Sequence, residues 1–342
     1  KVADPDKGET ITMAPLIVKD MAITGVSGAE KAIRGWLAAT DLKTGKELWR
    51  TYMIPGPGEP GIDTWKDDHN AWKTGGAATW GNPTYDPATN KLYFGTANPG
   101  PDFDPEYRPG DNLYVASMMV LDADTGKIDW HFQYTPNEPY DHDEIGEHPL
   151  IDVKVGGKDV KMVVHAGRNG FYYQFDRANK DFISGTQFVD KLTWTKGLDP
   201  KTGIPVDYDP NSKVQTYNSA TFGLRGQDAK EDVCPTTMGG KNWQPTAYNP
   251  ELHTIYIPAI ESCGVIEAAE QDKPVAEGGT WALPKSFTGA RNTTPSHISG
   301  SLVAIDVTDG KQVAKVPEDY AMWGGLLTDE WKSADTFLQR NE

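Results

Sequence analysis

The sequence predicts an all-β fold of the propeller kind, on three observations: a recurrent two-strand unit, further hairpin signals between its copies, and a composition rich in turn formers and aromatics. The unit reads AATDLKTGKELWRTY over Ala38 to Tyr52 and VLDADTGKIDWHFQY over Val120 to Tyr134. An Asp opens each copy (Asp41, Asp122), and a Trp eight residues on closes it (Trp49, Trp130). A third copy starts at Asp306 with Ala314 in the Trp place, and a degraded one, QFDRANKDFISG, surrounds Asp176. Each reads as strand, tight Asp/Thr/Gly turn, strand, with the Trp docking onto the next unit.

Between the copies lie APLIVKDMAITGV, PTYDPATNKLYFGT, MVVHAGRNGFYYQFD and TAYNPELHTIYIPA, each two β-rich runs around a turn signal. Gly 35, Pro 25, Trp 11 and Tyr 14 in 342 residues fit many short strands, and no long stretch shows helical periodicity. The chain therefore reads as one β-propeller domain over 1–342, ending in a polar stretch at 326–342. Asp122-Ala-Asp124-Thr-Gly126 lacks the later ligands of a calcium loop and reads as a turn. Pro55 to Asp68 and Lys196 to Lys213 are long connections of the sort that roof an active surface.

A net charge of -16 without a basic patch excludes nucleic acid as a partner. No run is long and apolar enough for a membrane helix, so an integral membrane protein is not expected. Cys234 and Cys263 stand outside any C-x-x-C or C-x-x-C-H pattern, which removes zinc ribbons and covalent c-type haem and leaves free thiols as the ordinary reading.

The chemistry concentrates in Thr135 to Gly146, TPNEPYDHDEIG, where Asp141 and Asp143 flank His142. Paired carboxylates in a polar turn suit a hard metal ion or acid/base work, although the same pattern serves in solvated loops. Three other segments offer complementary groups: GVSGAE ending at Glu30, FGTANP with Asn98, and HAGRNG with Arg168.

Taken in order, TMAPLIVKDMAITGVSGAEKAIRG, WGNPTYDPATNKLYFGTANPGP, RPGDNLY, LDADTGKIDWHFQYTPNEPYDHD and GGKNWQP make the chain resemble the pyrroloquinoline quinone (PQQ)-dependent methanol/ethanol dehydrogenases, from about Glu9 to Gly325. The resemblance implies an eight-bladed propeller of the quinoprotein type, here lacking its first and last blades. It places Glu30, Asn98 and Asp141 on the metal, Trp80 flat against the quinone, and Thr12, Ser27, Arg168, Asn242 and Trp323 around the quinone's edge. Asp141 would be the catalytic base and Arg168 would steady the oxyanion. Asp143, a second Asp two residues after the base, resembles the lanthanide-dependent branch, so the expected ion is one lanthanide, with Ca2+ as the alternative.

The same resemblance implies a periplasmic oxidoreductase that oxidises a primary alcohol to an aldehyde by hydride transfer to metal-bound PQQ. A c-type cytochrome would be the electron acceptor, and a homodimer is left open. The alternatives are a PQQ-dependent sugar or polyol dehydrogenase and a non-enzymatic propeller of outer-membrane protein assembly, which has no use for a convergent Glu30, Asn98, Asp141 and Arg168. The resemblance also implies a Cys234–Cys263 disulfide, which by chain entropy contributes roughly 3 kcal/mol. Three departures stand out: Ala78 where the family carries Thr, no adjacent Cys pair, and a polar tail in place of an apolar strand.

Overall fold

The computed structural model describes residues 2–271 and 287–328. Blade one contains β1 (Leu16–Val18), β2 (Met21–Gly25), β3 (Trp36–Asp41) and β4 (Glu47–Tyr52). Blade two contains β5 (Thr84–Asp86), β6 (Lys91–Gly95), β7 (Ser117–Asp122) and β8 (Ile128–Gln133). Blade three contains β9 (Leu150–Val155), β10 (Lys158–Ala166), β11 (Phe171–Asp176) and β12 (Asp181–Gln187). The remaining strands are β13 (Phe222–Gly223), β14 (Ala247–Asn249), β15 (Thr254–Gly264), β16 (Ile266–Ala268), β17 (Ala290–Asn292), β18 (Pro295–Asp306) and β19 (Gln312–Glu318). Of these, β14, β15, β18 and β19 form blade four, while β13, β16 and β17 make a small three-stranded sheet. Every blade is an antiparallel meander, so the described residues hold four blades of the expected propeller.

Period-2 alternation decides how the blades stack. Successive side chains of a strand face opposite sides, and here each side meets a different neighbour. In blade two, Leu92, Phe94, Met119 and Leu121 pack with Ile23, Leu37 and Ala39 of blade one. The intervening Tyr93, Met118 and Val120 pack with Val163, Tyr173 and Phe175 of blade three. Met162, Val164 and Tyr172 then face Ile255, Ile257, Val303 and Ile305 of blade four. Inner strands covered on both faces carry continuous apolar runs such as SMMVLD, whereas the outer β12 shows exposed and half-buried residues in alternation.

The repeated unit works as a joint between blades. Trp49 of β4 donates its indole N–H to Ala123 O (3.1 Å), in the turn that joins β7 to β8. Gly126 of that turn has φ +67°, and a Cβ there would stand 2.5 Å from the Trp49 ring, so only glycine admits the indole. Thr51 Oγ1 donates to Gly126 O (2.6 Å). The same joint recurs between blades three and four without a Trp: Thr186 Oγ1 donates to Gly310 O (2.6 Å) and Gln174 Nε2 to Val307 O (2.8 Å). Between blades two and three, Trp130 meets Phe175 edge-on at 6.3 Å. Asp122 accepts from the Thr125 N–H (3.0 Å) and hydroxyl (2.8 Å), which makes its segment the expected turn.

One expectation changes. Neither Pro55 to Asp68 nor Lys196 to Lys213 lines the central cavity. They instead brace the 107–114 segment, where Lys66 N donates to Pro109 O (2.8 Å), Trp65 Nε1 to Leu113 O (2.7 Å) and Gly110 N to Lys213 O (2.6 Å). The β9–β10 hairpin, turned at Gly156 and Gly157, carries no clear signal in the sequence because its polar residues mask the alternation. Of the tail, residues 326–328 pack on blade four, with Leu326 N donating to Pro245 O (3.0 Å) and Thr328 Oγ1 to Tyr248 O (3.0 Å). The expected tail from 329 onward lies outside the described residues.

Cys234 and Cys263 form a disulfide across 29 residues, beside the paired backbone of Val233 and Gly264. Cys263→Ser should lower unfolding stability by about 3 kcal/mol. Denaturant titration of the oxidised protein against the variant checks this, and equal midpoints would contradict it.

Candidate functional site

A cavity of about 840 Å³ opens where the inner ends of the blades converge, within the size range of small-molecule and cofactor sites. Thr12, Ser27, Glu30, Trp80, Asn98, Asp141, Asp143 and Arg168 all line it. Segments as far apart as residues 12 and 168 meet there because each contributes a loop at a blade's inner end.

The 141–145 turn is held against the end of β6. Gly95 lies so close to it that a Cβ would fall 1.6 Å from Glu144 O, so the turn backbone requires the missing side chain. Asp141 adopts φ +63°, a left-handed conformation that Asp and Asn tolerate better than most residues. Asp143 faces inward and is buried, rather than turning to solvent. Its Oδ1 accepts the Asn98 backbone N–H (2.6 Å) and its Oδ2 the Trp80 indole N–H (3.1 Å). One carboxylate thus fixes both the Asn98 loop and the plane of the indole.

Arg168 is the cation that faces these acids. Its Nη1 donates to Asp141 O (2.6 Å) and Thr237 O (3.3 Å), and its Nη2 to Asn242 Oδ1 (3.2 Å). Its distances to the carboxylates are longer, 3.7 Å to Asp141 and 3.5 Å to Asp143. Burial works against the guanidinium charge, but Asp143 and Asp141 outweigh it and hold the group further up.

The acids are under the opposite pressure. Burial, and then the Asp143 charge, raises the Glu30 carboxyl. Burial pushes Asp141 well up; Arg168 opposes the shift, and Asp143, Glu138 and Glu30 reinforce it. Glu138, fully buried beneath the turn, is raised to about 7, chiefly by burial. His142, between the aspartates, is lowered to about 3 by burial first and then by Arg168, so it stays neutral and is no proton carrier near neutral pH.

These residues fit a hard cation. Among the described residues no three Asp, Glu, His or Cys side chains form a metal cluster by themselves, so an amide has to complete the set. Asn98 provides it: the residue is 1% exposed and lines the cavity, and its Oδ1 has no hydrogen-bond partner while its Nδ2 donates to Pro99 O (2.9 Å). A buried carbonyl oxygen without a partner, beside carboxylates that burial and mutual repulsion drive toward neutrality, is the electrostatic counterpart of a cation. Beside it the half-buried Trp80 and the small Ala78 line the same cavity, an aromatic face and a short side chain that suit a planar ring.

Two of the expected edge residues sit elsewhere. Trp323 is 48% exposed and does not line the cavity, and the chain after it packs through Gly325 and Leu326 on Pro245. The indole that does line it is Trp243, in the KNWQP segment. Asn242 is set back and acts through Arg168. Sequence reasoning also missed Glu147, a lining residue paired with the buried Lys241 (3.1 Å). Asp102 was missed as well; its carboxyl is raised by burial and then by Asp141, Glu30 and Asp143, and its Oδ1 is unpartnered. Neither residue carries a local sequence signal.

A family model described as the PQQ-dependent glucose/ethanol/alcohol dehydrogenase β-propeller domain matches residues 1–185. The chain belongs to this family. Similar proteins include the quinoprotein alcohol dehydrogenase PedH of Pseudomonas putida, 39% identical over 96% of this chain and 55% of that protein. The lanthanide-dependent methanol dehydrogenase of Methylacidiphilum fumariolicum is 34% identical over 95% and 54%. Among solved structures, a europium-containing methanol dehydrogenase superposes with TM-score 0.81 at 33% identity, over 94% of this chain and 56% of that one. The chain thus spans about half the length of the relatives it matches.

The raised Glu138 predicts a pH dependence of fold stability in the ion-free protein. A carboxyl whose folded value of about 7 exceeds its ordinary 4.5 binds more protons folded than unfolded, so stability falls as pH rises through that window. The loss is up to about 3 kcal/mol. Urea titrations between pH 4.5 and 7.5 should show this decline, and Glu138→Gln should flatten it.

Proposed function

We propose that this chain forms the quinone- and metal-binding part of a PQQ-dependent alcohol dehydrogenase, which oxidises a primary alcohol to an aldehyde and passes the electrons to a c-type cytochrome. The observation that carries the proposal is the unpartnered Asn98 amide oxygen facing the same cavity as Glu30, Asp141 and Arg168. The likeness to proteins named as quinoprotein and methanol dehydrogenases supports the same reading.

PQQ supplies the hydride acceptor, and a metal ion beside it supplies Lewis-acid polarisation of the quinone carbonyl. Glu30, the Asn98 amide and Asp141 are the residues that would hold the ion, with Asp143 contributing charge beside them. Trp80 presents its indole face to a planar ligand while Asp143 fixes its N–H. Asp141 would be the group that accepts the hydroxyl proton of the alcohol, a role that a cation in the cavity would favour by offsetting the burial and neighbouring charges that raise its carboxyl. Arg168, held to Asp141 O and Asn242, offers its guanidinium to an oxygen that gains negative charge.

The ion proposed is a light lanthanide rather than calcium. Glu30 and Asp141 supply two negative charges on the ion's side of the cavity, and Asp143 adds a third carboxylate at the same wall, a donor charge that suits a trivalent ion better than a divalent one. The compartment proposed is the periplasm, since a disulfide persists in oxidising surroundings.

Reconstitution of the protein with PQQ and either lanthanum or calcium, assayed with primary alcohols and an artificial electron acceptor, tests the reading. Higher turnover with lanthanum is expected, and Asp143→Ala should erase the difference. Equal or better turnover with calcium would defeat the lanthanide assignment, and no quinone binding at all would defeat the family function for this chain.

Asp141→Asn should cut kcat by about 100-fold or more while the protein still folds and takes up PQQ, because Asn tolerates φ +63° but takes no proton. Near-normal turnover in the PQQ-loaded variant would remove Asp141 as the base.

A further inference from the structure

Behind Arg168, away from the cavity, lies a buried polar network with no part in the chemistry above. Glu144 is fully buried, and its Oε2 accepts from the Arg168 backbone N–H (3.2 Å) and pairs with His165 Nε2 (2.7 Å). The other ring nitrogen of His165 lies 3.2 Å from Glu147 O, so both nitrogens have a polar neighbour and the ring is held in its plane. His148 stacks on His165 with centroids 4.2 Å apart and planes within 2°, and its Nε2 meets the Tyr134 hydroxyl (3.1 Å). Neither Glu144 nor His165 lines the cavity.

The geometry points to Glu144 and His165 as positioning residues for Arg168 and for the Asp141–Asp143 turn. The turn and the arginine grip each other at both ends: the Glu144 side chain takes the Arg168 backbone, and the Arg168 side chain takes the Asp141 backbone at 2.6 Å. That reciprocal hold leaves the guanidinium 3.7 and 3.5 Å from the two aspartates, beyond the length of a charge-assisted hydrogen bond. Without the Glu144 anchor, Arg168 is free to close those gaps and pair with the carboxylates directly. It would then compete with a cation for the same oxygens. The network is poorly suited to be a mere stabiliser, since Glu144 Oε1 is buried without a partner and an apolar residue of similar size would avoid that cost.

The functional consequence rests on the metal-and-quinone reading, but the positioning role is tested without turnover. Terbium luminescence, sensitised by nearby tryptophan, reports ion binding to the 342-residue chain. Glu144→Leu, which fills the space with no acceptor, should weaken terbium binding by about 10-fold or more, a change equivalent to about 1.4 kcal/mol. Glu144→Gln keeps an oxygen for the Arg168 N–H but exchanges the charged acceptor for a neutral amide, so it should fall between the two. Wild-type terbium affinity in folded Glu144→Leu would overturn the role, as would a loss that merely tracks the unfolded fraction seen by circular dichroism. If Glu144→Leu does not fold, wild-type affinity in Glu144→Gln overturns it instead. In the PQQ-loaded protein the same variants should lower kcat more than they raise KM for alcohol. If wild-type protein binds terbium but oxidises no alcohol, the functional reading fails while the positioning result stands.

Discussion

The site depends on one electrostatic constraint: the carboxylates of Glu30, Asp141 and Asp143 line one cavity together with the Arg168 guanidinium. Burial and mutual repulsion push Glu30 and Asp141 toward neutrality, while Asp143, which faces the same cavity, is held by two N–H donors and the nearby Arg168. Like charges gathered in one cavity repel one another unless a cation shares the site. The unpartnered Asn98 oxygen points to the same conclusion from a neutral group, which no charge repulsion explains.

The blades supply the rigidity that this constraint requires. Leu92 and Phe94 face one neighbour and Tyr93 the other, so the stack is packed on both sides and its inner loops converge on fixed positions. Trp49 seated on the Ala123–Gly126 turn locks one blade to the next at the outer edge. Loops on such a scaffold can hold strained or charged groups, Asp141 at positive φ among them, because the surrounding sheets determine where they go.

Much of the site was legible before any coordinates, since Glu30, Asn98, Asp141, Asp143 and Arg168 lie in short segments whose residue types suit a hard ion and an anionic, planar partner. All five line one cavity. The reading failed where a side chain's direction depends on distant backbone. Trp323 resembles an edge residue in sequence, but Gly325 and Leu326 after it lie on Pro245, and Trp243 is the indole in the wall. The connections at 55–68 and 196–213 looked like a roof from their length, yet their backbone hydrogen bonds run to the 107–114 segment.

By itself the sequence determined the strand period, the Asp/Thr/Gly turns, the Trp joints and the chemical types gathered in the 135–146 turn, because each is set by residues within a few positions of one another. Only the tertiary structure decided that Asp143 faces inward and holds Trp80 and Asn98, that the Asn98 oxygen is left without a partner, and that Glu144 and Arg168 anchor each other. Those contacts join residues 24 to 63 positions apart, and such pairings exist only once the blades have packed.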